Sequence, residues 1–274
     1  MGSQGPTTKD ILLDAVERAA GADVLETVKP TDAPKIDQDG KDIKITEIPL
    51  CITQRPIPPA LQAAMDQDRS MLSIVVGLHD HIPRWVPGSV VKWAAWVKGF
   101  RSQADADYAA QQMNVAAQAW NDANIGVTFE WVPEAKDATF VLTHGGAMGS
   151  VLAEAFFPNS QDLNYVFVYS YAFTKDWKKS MSNVFAHELG HVLGLRHEFA
   201  IGDVRDRMTA SREGKDAVRI DAPNEKSVMN YRAEPPEIQQ SDIDSTRKFY
   251  SMTEDAAGEL PQIGGTKIID YTPL

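Results

Sequence analysis

Cysteine is nearly absent from this chain of 274 residues, in which Cys51 is the single example. One thiol cannot close an intrachain disulfide, which excludes a disulfide-stapled scaffold and a Cys-rich zinc module. Any metal site must therefore use histidine and carboxylate ligands. The chain also has no apolar run near the ~18 residues that a membrane helix needs, so a membrane-spanning protein is excluded.

Positive charge is in deficit as well, because 27 Lys and Arg stand against 38 Asp and Glu. The net charge of −11 would repel a polyanion, so no nucleic-acid partner is expected. The first ten residues contain no apolar signal core, and Pro6 interrupts the myristoylation pattern that Gly2 would begin. We expect a protein that is cytoplasmic or leaderless, or extracellular if a leader has been removed.

Residues 1–75 are interpreted as a proline-rich attachment and possible propeptide, and residues 76–274 as the main domain. Apolar residues at helical spacing predict a short amphipathic helix within 11–28. An extended segment follows that is rich in proline, which helices and central strands exclude. Its prolines are Pro30, Pro34, Pro49, Pro56, Pro58 and Pro59.

The main domain is predicted to be a mixed α+β layer. Alternating and β-branched patterns predict strands over 90–96, 127–132, 138–143, 150–157 and 165–169. Helical spacing predicts helices over 103–121, where Val115 is assigned to the buried side, and over 182–193. The last of these helices carries the residues that indicate chemistry.

That helix contains the string His187-Glu188-Leu189-Gly190-His191. Two histidines four positions apart subtend about 40° on a helix, so both rings can bind one ion. Glu188 can take a proton from a water on that ion, and Gly194 can end the helix and reverse the chain. His197 then returns as a third ligand. Three nitrogen donors with an open position for water are typical of one catalytic Zn²⁺.

The longer string HELGHVLGLRHE, followed by Ser227-Val228-Met229-Asn230-Tyr231, resembles the metzincin clan of zinc endopeptidases. The resemblance implies a metzincin-like zincin domain, with a twisted mixed sheet, an active-site helix and a small irregular C-terminal subdomain from about residue 195. It places Met229 as a hydrophobic floor beneath the metal. Tyr231 would assist the oxyanion, as in astacin-like members. The alternative is a buried aromatic after a turn, but the spacing of Tyr231 from Met229 fits the family and favours the site. Glu198, which follows the third histidine, also resembles the residue at that position in astacins. The alternative is that Glu198 forms a surface ion pair with Arg196 or Arg205.

Residues 150–158 are similar to the edge strand of matrix metalloproteinases, which binds extended peptide by β-augmentation. This resemblance implies that the substrate adds as a strand, and that Arg232 lines the pocket for the side chain after the cut. Glu154 stands where those enzymes place a histidine of a structural zinc, so a second zinc of that type is not expected. The substrate-binding residues implied are Ser150, Val151, Leu152 and Ala153.

Two further hypotheses concern residues outside the zinc motif. Ser241 and Asp244 are spaced as the capping box of a closing helix. Cys51 is either a fourth zinc ligand that holds the enzyme latent or an ordinary packed thiol. Its neighbours lack the Arg and Gly that mark the matrix metalloproteinase switch, which favours the packed thiol.

The function predicted from these residues is a zinc-dependent endopeptidase that acts on peptide or protein substrates. The alternative is a non-catalytic, zinc-fold module that binds peptides. Loss of the general base is the simplest route to such a module, so the presence of Glu188 argues for the enzyme.

Overall fold

The computed structural model describes residues 6–31, 50–54, 75–76, 81–197, 218–221, 224, 226–230 and 237–274. Three predicted site residues, Glu198, Tyr231 and Arg232, lie outside these stretches. Of Cys51, only the backbone is described. None of the helices in the described stretches has the length and apolar character that crossing a membrane requires.

The described residues form four α-helices, two of which were predicted to within one residue at each end. In chain order they are α1 (Thr8–Ala20), α2 (Gln103–Asp122), α3 (Met181–Val192) and α4 (Gln240–Ser251). The helix predicted within 11–28 begins earlier, because the Thr7 side chain accepts the Asp10 N–H and caps the first turn. It also ends earlier, since Gly21 has a φ of 95°.

The strands form three sheets within the described residues. They are β1 (Leu50–Gln54), β2 (Val75–Val76), β3 (His81–Trp85), β4 (Val90–Ala95), β5 (Thr128–Trp131), β6 (Phe140–His144), β7 (Val151–Phe156), β8 (Asn164–Val168), β9 (Val218–Arg219), β10 (Gln262–Ile263) and β11 (Thr266–Tyr271). The main sheet has six strands in the order β1-β7-β8-β6-β4-β5, and two small sheets join β10-β11-β3 and β2-β9.

The main sheet is mixed, which confirms the predicted α+β architecture. Its neighbouring strands run parallel except for β7 and β8, which are antiparallel. Strand β3 was not predicted, because Pro83 lies in its middle and proline is unusual within a strand. It pairs in parallel with β11, in the register Arg84 to Asp270.

The two faces of the main sheet are covered by different helices. On one face, Trp93, Leu142 and Val166 pack in the main core together with α2 and α3. On the other face, Ala94 and Val141 form a second cluster, to which Leu13 of α1 adds. The alternation of side chains along each strand thus places α1 on the opposite side of the sheet from α2 and α3.

Helix α2 meets α3 through mostly small side chains, which allow a close approach. Its buried residues are Ala106, Ala109, Ala110, Gln112, Met113, Ala116, Ala117 and Trp120. Trp120 Nε1 donates a hydrogen bond of 2.9 Å to the Ala186 carbonyl of α3. The assignment of Val115 to the buried side is wrong, because a residue two positions from Met113 lies about 200° around the helix. Val115 is exposed.

The segment that follows α1 also contacts the main domain. Val28 is buried in the main core, and its N–H donates to the Ala95 carbonyl of β4. The Lys9 ammonium is buried and donates to the Ala138 carbonyl at 3.0 Å. Part of the predicted attachment therefore packs against the sheet, and the boundary at residues 75 and 76 stays a prediction.

Candidate metal centre

Three histidines come together at the C-terminal half of α3. His187 and His191 lie one turn apart on the helix, and His197 returns after the turn at Gly194. All three are buried, and one ligand nitrogen from each lies within 4.8 Å of the others. Among the described residues, no other group of three or more His, Cys, Asp or Glu is placed to hold a metal ion. The predicted triad is therefore assembled by the fold.

Backbone carbonyls orient two of these rings. His187 Nδ1 lies 2.7 Å from the Val228 carbonyl oxygen, and His191 Nδ1 lies 2.7 Å from the Leu195 carbonyl oxygen. A carbonyl oxygen only accepts, so each Nδ1 carries the proton and donates it. Each Nε2 then presents a lone pair, as a metal ligand requires.

The electrostatics of the triad favour a neutral His191 ring. Burial lowers the pKa of His191 well below its usual value, and the nearby rings of His197 and His187 lower it further. Nε2 of His191 and Nε2 of His197 are 3.1 Å apart. Two imidazole nitrogens that face each other at this distance fit a shared cation, and three imidazole donors suit Zn²⁺.

Glu188 occupies the position next to the first ligand on α3. Its side chain is fully buried, on the helix that supplies His187 and His191. A carboxylate adjacent to a metal ligand, with its polar atoms shielded from bulk water, is placed to exchange a proton with a metal-activated water.

Met229 packs directly against α3 at Gly190. A Cβ placed on residue 190 would lie closer to Met229 Sδ than the 3.0 Å that such atoms keep. Met229 is fully buried. Glycine between Glu188 and His191 is thus required by the approach of the methionine. The role of Met229 as a floor beneath the metal stays a prediction.

A buried carboxylate from α4 holds the turn that contains Met229. Asp242 Oδ1 accepts from Ser227 Oγ at 2.6 Å, and Oδ2 accepts the Val228 N–H at 2.8 Å. Oδ2 also accepts the Gln239 N–H at 2.8 Å. The Val228 peptide therefore links Asp242 on one side to His187 on the other.

This arrangement corrects the predicted capping box at Ser241 and Asp244. Helix α4 begins two residues earlier, and Asp242 rather than Asp244 reaches back to the helix start. Asp244 instead accepts from the Gln240 side chain on the exposed face of the helix. Residue type favours Ser241 as the N-cap, because Gln239 is not a usual capping residue. The burial of Asp242 nevertheless goes with the earlier start.

Strand β7 contains the residues expected to bind substrate. Val151, Leu152 and Ala153 lie in the strand, and Ser150 precedes it. One edge of β7 pairs with β8 and the other with β1, in the register Cys51 to Ala153. The strand predicted to be an edge is thus covered by residues 50–54, which run parallel to it.

Glu154 of β7 pairs with a tyrosine rather than with further metal-ligand side chains. Tyr169 donates its hydroxyl to Glu154 Oε2 at 2.5 Å. Burial raises the pKa of Glu154, although this hydrogen bond opposes the shift. The pKa of Tyr169 is raised by burial, by the bond to Glu154 and by the charges of Glu154 and Glu188.

Several residues that shape the centre were not found from the sequence. Gly190 stood inside the motif without an assigned role, and Asp242 was overlooked beside Asp244. The carbonyls of Val228 and Leu195 leave no mark in the sequence, since any residue supplies one. Asp242 lies in a short polar run that resembles the solvent-exposed start of an ordinary helix, so the sequence does not reveal that its side chain is buried.

The fold and the histidine centre define a metzincin-type zinc metallopeptidase. The family model Peptidase_M10, described as Matrixin, matches residues 98–250, which is more than half of the 274 residues. The chain belongs to the matrixin family.

The chain also matches solved structures, of which myroilysin is one. The crystal structure of myroilysin is 12% identical in sequence, with 81% of this chain and 100% of that chain covered and a TM-score of 0.45. No curated protein matches the chain.

Proposed function

We propose that this protein is a zinc endopeptidase in which Glu188 is the general base. The observation that carries the proposal is the convergence of three buried histidines, two of which donate Nδ1–H to backbone carbonyls. Family membership supports zinc and a peptide or protein substrate.

Each residue of the centre has a distinct part in the proposed hydrolysis. His187, His191 and His197 hold the ion. When bound, Zn²⁺ supplies a Lewis acid that polarises the scissile carbonyl and lowers the pKa of water. Glu188 accepts the proton of the attacking water and passes it to the leaving amine. Met229 packs closely against Gly190 and so excludes water from the side of α3 next to His191.

We propose that substrate binds β7 as an added antiparallel strand. Val151, Leu152 and Ala153 offer backbone groups on the edge that β1 now covers. Tyr231 assists the oxyanion, and Arg232 favours an acidic side chain after the cut; both assignments rest on the family resemblance.

The pairing of β1 supports a latent form of the enzyme. β1 is parallel to β7, so its backbone runs opposite to that of an antiparallel substrate. A strand bound in this direction blocks the edge without presenting a peptide bond in the orientation for cleavage. Cys51 lies within β1, opposite Ala153. A zinc-bound Cys51 thiolate would strengthen this latency, and the strand pairing provides for latency without it.

The test uses the full chain with β1 disturbed. Alternate residues of a strand direct their N–H groups to opposite edges, so one of Ile52→Pro and Thr53→Pro removes a donor from the ladder with β7. That variant should contain about one zinc per chain and cut members of a peptide library. Glu188→Gln in the same background is the matched control, which should keep zinc and lose cleavage.

A zinc-loaded β1 variant that binds peptides without cutting them would establish the non-catalytic module instead. Absence of zinc from the purified chain, with no uptake on addition, would remove the metallopeptidase assignment.

A further inference from the structure

The turn between the second and third histidines is held by groups from outside α3. The Val192 carbonyl accepts from Trp85 Nε1 at 2.7 Å, and the Leu193 carbonyl accepts from the Tyr250 hydroxyl at 2.9 Å. Both donors are buried. These carbonyls belong to the end of a helix, where the backbone offers them no partner, so strand β3 and helix α4 supply the missing donors.

The backbone of the same turn is fitted tightly against β3. Gly194 has a φ of 88°, and a Cβ there would collide with the Pro83 carbonyl oxygen. The next residue, Leu195, provides the carbonyl that orients His191, and His197 follows two positions later. The position of β3 therefore sets where the chain turns toward the third ligand.

Strand β3 is itself held by an ion pair whose cation is buried. Arg84 lies between Pro83 and Trp85, and its side chain is fully buried. Its Nε and Nη2 donate to the two carboxylate oxygens of Asp270 in β11, at 2.8 Å and 2.9 Å. This is a bidentate pair, in which geometry as well as charge fixes the partners.

The same guanidinium also fastens the end of α4. Arg84 Nη1 donates to the carbonyls of Phe249 at 2.6 Å and Met252 at 3.0 Å. A cation at a helix C-terminus meets the negative end of the helix dipole. Arg84 thereby fixes the positions of β3, β11 and α4 relative to one another. Trp85 of β3 and Tyr250 of α4 then contact the turn directly.

We propose that Arg84 and Asp270 are positioning residues for the zinc centre, which act through Trp85, Tyr250 and the turn at Gly194 on His191 and His197. Both lie outside residues 98–250, the part of the chain that the family model matches. The C-terminal strand β11 is on this account a part of the metal site's support. The inference rests on the proposed zinc function.

The experiment measures the zinc affinity of the full chain by competition with a chelator. Asp270→Asn removes the charge of the partner, and Tyr250→Phe removes only the hydroxyl that binds the Leu193 carbonyl. Each should weaken zinc binding by about tenfold, as loss of an outer partner of a metal ligand does. Val141→Ala, which lies in the second cluster on the other face of the sheet, is the control for a general loss of stability and should bind zinc as the wild type does.

A second measurement separates positioning from simple destabilisation. With Co²⁺ in place of zinc, the visible absorption bands report the geometry of the ligands. These bands should change in Asp270→Asn and Tyr250→Phe and stay unchanged in Val141→Ala.

Unchanged zinc affinity and unchanged bands in either folded variant would overturn the inference. If Asp270→Asn does not fold, Tyr250→Phe decides the question alone. A wild-type chain that binds no zinc would overturn the proposed function and the inference with it, whereas normal wild-type binding with unaffected variants overturns the inference alone.

Discussion

The sulfur of Met229 occupies the space where a side chain on residue 190 would begin. Gly190 lies next to His191, so the contact joins the helix that supplies two histidines to the turn whose Val228 carbonyl orients the first of them. Any group added at residue 190 must displace either the methionine or the helix.

Gly190→Ala is expected to destabilise the protein by about 1–3 kcal/mol, since a methyl group is forced into a filled core. Measurement of denaturant unfolding gives this value, and the zinc content of the variant should fall as well. Met229→Ala opens the space, so Gly190→Ala should cost less in a Met229→Ala background than in the wild type. Additive effects of the two substitutions would contradict the contact.

His191→Ala is expected to lose zinc, because only two of the three imidazoles proposed to hold the ion then remain. The matched control is His144→Ala, which removes a histidine that contacts Ser170 and Gly146 away from the triad. Metal analysis after dialysis should find zinc in the control and little in His191→Ala. Equal zinc in both would place the ion elsewhere.

Asp242→Ala is expected to destabilise the protein by about 3 kcal/mol, because Ser227, Val228 and Gln239 each lose the acceptor of a hydrogen bond. The control is Asp244→Ala on the same helix, whose side chain is exposed and whose loss should change the free energy of unfolding little. Similar losses in the two variants would show that burial of Asp242 is not what matters.

The same carboxyl should give a pH dependence to stability. Burial raises the pKa of Asp242 above its ordinary value of 3.8, against the opposing effect of its hydrogen bonds. The folded state then binds the proton more tightly than the unfolded state, so the contribution to stability is full below pH 3.8 and is lost as pH rises through the raised pKa. The unfolding free energy of the wild type minus that of Asp242→Asn should therefore fall as pH increases over this range. A difference that rises with pH would contradict the direction.

Latency that depends on the Cys51 thiol and latency that depends on strand β1 predict different effects of substitutions on cleavage. Cys51→Ser removes a thiolate ligand and leaves the β1 backbone intact, whereas the proline variants of β1 disturb the strand and leave the thiol. If the strand alone blocks β7, cleavage should rise severalfold in a proline variant and stay unchanged in Cys51→Ser. Ile52→Val, which keeps the strand, serves as the control for a change at this position.

Alkylation of Cys51 provides the complementary measurement. A thiolate bound to zinc resists alkylation until the metal is chelated. Equal alkylation before and after chelation, together with unchanged activity in all β1 variants, would show that this segment is not an inhibitor.

The parts of the site that could be predicted are those fixed by local spacing. His187, Glu188 and His191 share one helix, and helical periodicity alone brings their side chains to neighbouring positions. His197 was predicted from its offset to Gly194, whose positive φ the structure confirms. Helices α2 and α3 were predicted for the same reason, because periodicity and capping are local properties.

The parts that could not be predicted depend on contacts between distant residues. The pairing of β1 with β7 joins residues about 100 positions apart, and no local pattern specifies which edge a short apolar strand covers. Strand β3 owes its place to β11, Arg84 and Asp270, and the proline in its centre argues against a strand when it is considered alone. Asp242 and Asp244 differ only in burial, which tertiary packing decides.

The covalent tether of β1 has a kinetic consequence for the proposed enzyme. Because β1 belongs to the same chain as β7, its binding to that edge is intramolecular, and a substrate must compete with it for the same edge. Such competition raises the KM for extended peptides and leaves kcat unchanged once the substrate is seated. Small molecules that bind the metal without using β7 would compete with the tethered strand far less. The ratio of their affinities in the wild type and in a β1 proline variant therefore measures how far β1 also blocks access to the metal.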